Sequence, residues 1–191
     1  MMPMPTVSRW TMRIDDHRYG FLFGTGLQAA FLEEYYAGSE PSPAKAAWVL
    51  IRAIFSAMVQ GPLVKKLFAE QPMDAIVDGT RWPRDAWMSV AAGTVDDIGL
   101  GFRPYYKAPT HPGNLHAVGF ACSGFTVVRE LPRIWRAQPT RSPDILDDVA
   151  KELILRSPLP IGYMIDGDFH RGGQEVVVRV GPRVDFVATR A

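Results

Sequence analysis

Apolar residues follow two different rhythms along this chain. Between Leu27 and Gln60 they recur at helical spacing, whereas from Met73 onward they form short runs broken by Gly, Pro or Asp. Leu27, Ala30, Phe31 and Tyr35 predict a helix over residues 27–36, followed by a loop from Gly38 to Pro43. Ser42-Pro43 then reads as a helix start, with Ser as N-cap and Pro at the first helical position. In that second helix Leu50, Ile51, Ile54, Ala57 and Met58 share a face, and Trp48, Phe55 and Val59 widen it. Only Arg52, Ser56 and Gln60 mark a polar edge. The apolar arc exceeds half the circumference, and a helix lying on a core needs a narrower stripe. The surplus faces a second layer, a partner or a lipid.

The short runs predict strands. Arg13–Phe23 reads as an extended segment, a turn at Asp15-Asp16 and a strand. Residues 75–77, 87–91, 98–102, 115–120 and 126–128 are rich in branched or aromatic side chains, with turn residues between them. That spacing belongs to a sandwich or barrel. Arg129–Arg136 predicts a short helix interrupted by Pro132. Ser142-Pro143-Asp144 predicts a helical turn, with Glu152–Leu155 as a strand after it. Residues 175–180 and 184–188 predict two final strands.

One element occurs twice. Ala-Ile-Val-Asp-Gly-Thr at 75–80 and Tyr-Met-Ile-Asp-Gly-Asp at 163–168 are apolar runs closed by Asp-Gly. Asp-Gly favours the hairpin turn in which both central residues take positive φ.

Composition narrows the class. The 191 residues fit one domain over 1–191, and 47% hydrophobic with 21% charged residues is ordinary for a globular protein. A net charge of +1 argues against nucleic acid as a partner. Cys122 is the single cysteine, so no internal disulfide forms, which fits a reducing cytoplasm. Residues 1–6 lack the basic start and apolar stretch of a secretory signal. The apolar stretch 46–59 is too short and interrupted to read as a membrane span.

Candidate chemistry concentrates in 163–174. On a continuous strand Asp166, Asp168 and His170 share a face, where they could bind a metal or act as a general base. The competing reading is a plain hairpin tip, and the same residues allow both. His111 and His116 flank a Pro112-Gly113 turn and read as loop histidines. No Walker motif, dinucleotide fingerprint or nucleophile elbow is present.

The order of elements resembles the C-terminal domain of the diacylglycerol kinase and sphingosine kinase-like family of lipid kinases. The matching stretches are Phe21-Leu-Phe-Gly-Thr-Gly-Leu-Gln-Ala, Ile76-Val-Asp-Gly-Thr, Met88-Ser-Val-Ala-Ala-Gly-Thr and Gly99-Leu-Gly-Phe-Arg-Pro. Lys107-Ala-Pro-Thr-His-Pro-Gly-Asn-Leu-His-Ala-Val and Tyr163-Met-Ile-Asp-Gly-Asp complete the series. The resemblance implies a mainly β (α+β) fold, a β-sandwich with two or three added helices. It implies the lipid-binding half of a kinase that phosphorylates a lipid hydroxyl. ATP and magnesium belong to the complete enzyme, held with a nucleotide-binding domain absent from these residues. Asp166 matches the position of the family's candidate base, and Asp168 stands where the family has Glu. Trp48, Leu50, Ile51, Ile54, Phe55 and Met58 are the expected lipid contacts.

Two departures follow. The family's Asp-Gly and Leu-Asp are Pro112-Gly113 and Leu115-His116 here, so the acidic groups expected near that loop are missing. Phosphoryl transfer depends on positioned cations and phosphate cradles. The expectation is a cytoplasmic, membrane-peripheral chain that binds an amphiphile, holds no metal and is inactive alone. The alternative is a non-catalytic sandwich module for protein binding or homo-oligomer formation. A metal-dependent enzyme built on Asp166, Asp168 and His170 ranks last.

Overall fold

The computed structural model describes residues 6–26, 69–99 and 101–187. The helices expected over 27–36 and 43–59 lie outside them, as do Trp48, Leu50, Ile51, Ile54, Phe55 and Met58.

Two six-stranded antiparallel sheets face each other. In chain order the strands of the first are β1 (Thr6–Ile14), β2 (Arg18–Gly20), β5 (Asp74–Val77), β6 (Thr80–Arg81), β11 (Glu152–Arg156) and β14 (Glu175–Val187). Their spatial order is β2-β1-β14-β11-β5-β6. The second sheet holds β3 (Leu22–Thr25), β8 (Ser89–Gly93), β9 (Leu115–Phe120), β10 (Ile145–Ala150), β12 (Gly162–Ile165) and β13 (Asp168–Arg171). Its order is β10-β9-β8-β3-β12-β13. β4 (Gln71–Pro72) and β7 (Ala86–Trp87) form a small separate pair.

The inner faces meet in one apolar core. Met12 and Ile14 come from β1, Leu153 and Leu155 from β11, and Val176 and Val178 from β14. Phe23, Val90, Leu115 and Tyr163 oppose them from the second sheet. Period-two alternation puts these residues inward. Trp82 and Trp87 pack in the same core with ring centroids 5.3 Å apart and planes tilted by 46°. Gly119 makes room for them: a Cβ there would lie 2.5 and 2.6 Å from the two indoles.

The second sheet is covered on its outer face as well, so every residue of β9 is buried. The cover is a helix, α1 (Gly124–Trp135), and the 101–110 loop. Val118 and Phe120 pack there against Val127, Ile134 and Tyr105. Cys122 belongs to this layer, and its thiol is pushed up to about 11 by burial first, then by the charges of Asp144, Glu130 and Glu70.

Several expected elements change. Where a strand was expected over 98–102, the described residues turn: Ile98 N–H donates to Phe102 O, and Gly99 and Gly101 take φ of 103° and 77°. Thr126–Val128 is helical, because Ser123 caps α1 through Thr126 N–H and Gly124, Val127, Glu130 and Ile134 form its buried stripe. A short β-branched window hid that longer period. Residues 145–150 are a strand instead of a helical turn, since all six find ladder partners on β9. The two final strands are one 13-residue β14. A bulge sets Gly181 and Pro182 opposite Thr11, so the missing Pro N–H costs no ladder bond. His116 is a fully buried strand residue rather than a loop histidine.

One device fixes the hairpins. Asp15, Asp78 and Asp166 open tight turns with φ of 47°, 46° and 48°. Each binds the strand beside its own hairpin at both ends of one residue. Asp15 N–H donates to Val177 O at 2.9 Å, and the Asp15 carboxylate accepts Val177 N–H at 2.9 Å. Asp78 N–H donates to Glu152 O at 3.0 Å, and its Oδ1 accepts Lys151 and Glu152 N–H, each at 2.9 Å. Asp166 repeats the arrangement on Leu22.

The latch makes a prediction. Asp78→Ala removes the acceptor of two N–H groups and places Ala at positive φ, so unfolding free energy drops by about 1–2 kcal/mol. Asp78→Asn tolerates the same φ and keeps an acceptor oxygen, so it loses less than half as much. Urea titration followed by circular dichroism measures both, and equal midpoints for the two variants refute the latch.

Candidate functional site

The late hairpin does not align Asp166, Asp168 and His170 on one strand face. Asp166 and Gly167 are the turn itself, and only Asp168 and His170 lie on β13, opposite Ile165 and Tyr163. Asp166 Oδ1 accepts Phe21 N–H at 2.9 Å and Leu22 N–H at 2.7 Å. Its Oδ2 shares only the Phe21 N–H, at 3.0 Å, which leaves that oxygen with acceptor capacity toward solvent. Asp168 is exposed one residue past the turn. The His170 ring lies on Tyr163, centroids 5.6 Å apart. Tyr163 OH donates to Asp15 at 3.4 Å and accepts from Arg18 at 3.3 Å. Burial first, then the Asp15 charge, raises this phenol's pKa above the ordinary range, while Arg18 opposes it.

A second polar group lies on the outer face of β9. Asp147 on β10 accepts three side-chain donors: Tyr106 OH at 2.6 Å, Lys107 Nζ at 3.0 Å and His116 Nε2 at 3.3 Å. His116 Nδ1 accepts Lys107 N–H at 3.4 Å, which leaves Nε2 as the ring donor to Asp147. Burial acts most strongly on Asp147 and favours its acid form. The hydrogen bonds from His116, Tyr106 and Lys107, with the Lys107 charge, together outweigh it and hold the carboxyl well below the usual range. The Tyr106 phenol is pushed up, by burial first and then by its bond to Asp147.

Both ring nitrogens of His116 are occupied, so it offers no base to a substrate. The cleft beside Asp147, edged by Arg103, Gln138 and Thr140, has a volume of about 10 Å³. That holds roughly one water. The group is therefore a clasp that pins the 101–110 loop to the sheet. Sequence reasoning missed it. Lys107 and His116 lay in a recognised stretch, but Asp147 is 31 residues beyond His116, and only the β9–β10 register joins them. The turn that follows the loop is tied by Lys151 Nζ, which donates to Gly113 O. Past that loop a groove of about 290 Å³ opens among Trp10, Thr94, Asp96, Pro109 and Asn114.

The arrangement of strands matches solved structures. A diacylglycerol kinase of Bacillus anthracis str. Sterne superposes on 93% of this chain with a TM-score of 0.56 and 11% identity. The fold is that of the diacylglycerol kinases. Two candidate diacylglycerol kinases of the same strain cover 91% and 97% of the chain, each at a TM-score of 0.59, with 12% and 13% identity. The chain spans about half of these proteins: 52%, 54% and 58% of their lengths. No protein-family model and no curated protein matches it.

Among the described residues no three His, Cys, Asp or Glu side chains converge. The carboxylate nearest the 107–116 loop, Asp147, already has three donors. No helix among the described residues is long and apolar enough to cross a membrane.

The clasp gives a signed pH prediction. The folded-state pKa of Asp147 is depressed, so its contribution is complete above the unfolded carboxyl value of about 3.9 and fades as pH falls toward the folded value. Asp147→Asn lowers unfolding free energy by about 2 kcal/mol at pH 7. The gap between parent and variant narrows as pH drops below about 4. Urea midpoints from pH 7 to pH 2 test this; a constant gap overturns the assignment.

Proposed function

We propose that this chain is the acceptor-side half of a diacylglycerol kinase-like phosphotransferase. It holds an amphiphile with a free hydroxyl, and the phosphoryl donor and its cations are held by other residues. The observation that carries this reading is the superposition of more than nine-tenths of the chain on about half of each of three such structures.

In this reading Oδ2 of Asp166 takes the proton of the acceptor hydroxyl, because it is the less occupied oxygen of a carboxylate held by two backbone N–H groups. Asp168, beside it, adds negative charge. Trp48, Leu50, Ile51, Ile54, Phe55 and Met58 contact the acyl chains, a role that rests on the width of their apolar arc. The isolated chain turns over no ATP.

A second reading is a non-catalytic sandwich module that binds protein or itself. Asp166 supports it by performing the same latch as Asp15 and Asp78.

A fluorescent acyl-chain probe in solution separates the two. The parent chain binds it, and Leu50→Asp weakens binding at least tenfold, as one buried charge suffices to do. Circular dichroism confirms that the variant folds. A parent that ignores the probe yet runs as a stable dimer by light scattering establishes the second reading. ATP hydrolysis by the chain alone overturns the claim of dependence on a second half.

A further inference from the structure

We propose that the exposed face of α1 docks on an anionic bilayer surface. The choice of a membrane as partner deepens the acceptor-side reading and rests on it; the residues that make the contact are named by this structure.

The buried stripe of α1 consumes Gly124, Val127, Glu130 and Ile134. What remains outward is unusual for a solvent face. Phe125 is 61% exposed and Trp135 is 62% exposed. Between and beyond them stand Arg129 and Arg136, both exposed. Neither has an ion-pair partner among the described residues. The helix presents no carboxylate to water: Glu130, its one acid, is 3% exposed and accepts Arg141 N–H.

The two acids of the loop that leads to Phe102 have partners of their own. Asp96 pairs with Arg103 at 3.7 Å, and Asp97 caps Gly99 N–H at 2.7 Å. Phe102 stacks on Trp135, centroids 6.4 Å apart, which widens the aromatic surface beyond the helix.

Each component has a cost in water and a use at an interface. Exposed Phe and Trp lose apolar hydration when they enter the headgroup region, where amphipathic rings concentrate. Unpaired arginines are attracted to acidic lipids, and guanidinium groups bind phosphate in paired geometry. An aromatic and cationic face without acids is the signature of a helix that lies in the interface plane. A protein partner would have to supply acidic groups around an apolar patch. A bilayer containing anionic lipid supplies both everywhere, so alignment is undemanding.

Sedimentation with vesicles of equal parts phosphatidylcholine and phosphatidylserine, containing no diacylglycerol, tests the proposal. The parent chain binds, and binding falls in phosphatidylcholine alone and in high salt. Arg129→Gln with Arg136→Gln weakens partitioning roughly 30-fold. Phe125→Ser with Trp135→Ser weakens it at least tenfold. Arg156→Gln with Arg183→Gln, on the opposite sheet, changes it less than about twofold. Circular dichroism confirms folding throughout. A parent that ignores anionic vesicles, or an arginine pair whose loss matches the control pair, overturns the proposal. The acyl-probe assay is run on the same variants. Failure there with intact, arginine-dependent vesicle binding sinks the acceptor site and leaves the docking face standing.

Discussion

The sandwich depends on aspartates that hold left-handed turns while gripping the next strand. A tight hairpin by itself closes only two strands. Here each turn Asp reaches across to a third, exchanging a backbone N–H and a carboxylate with the same neighbouring residue. Val177, Glu152 and Leu22 are the partners. The same carboxylate that makes positive φ tolerable satisfies N–H groups where a ladder begins or turns. Hairpins become parts of a sheet, and their register cannot slip without breaking both bonds at once.

On this frame the two faces of the second sheet divide the work. Its inner face makes the common core with the first sheet. Its outer face carries α1 and the 101–110 loop, and a charged clasp ties that loop down. Asp147, Lys107, Tyr106 and His116 satisfy one another in a partly buried place, where any one left alone would be costly. Strongly perturbed titration is thus compatible with a structural role. The late hairpin instead presents an accessible carboxylate on Asp166. The outer layer also sets α1 with its buried stripe inward, which turns Phe125, Arg129, Trp135 and Arg136 outward together.

Much of the scaffold was legible in the chain. Alternating apolar runs located β5, β9 and β12, and Asp-Gly located two of the hairpins. The Asp15-Asp16 turn followed from the same turn chemistry. Errors arose where local preference met a tertiary partner. Ser142-Pro143-Asp144 is a sound helix start, yet residues 145–150 gain a full ladder on β9. Thr126–Val128 is β-branched, yet it completes a helix whose buried stripe spans three turns. Residues 175–180 and 184–188 read as two strands, and a bulge at Gly181-Pro182 keeps them one. The resemblance to lipid kinases was visible as a series of glycine-marked stretches in order, and the matching fold covers that series.

By itself the sequence determined the turns and the alternation, because those signals involve residues only a few positions apart. Tertiary structure alone decided that Asp166 is a latch as well as a candidate base, that His116 is buried, and that Asp147 lies beside it. Those relations depend on which strands become neighbours and in what register. Register is settled by burying both inner faces together, a condition that no short stretch of chain contains.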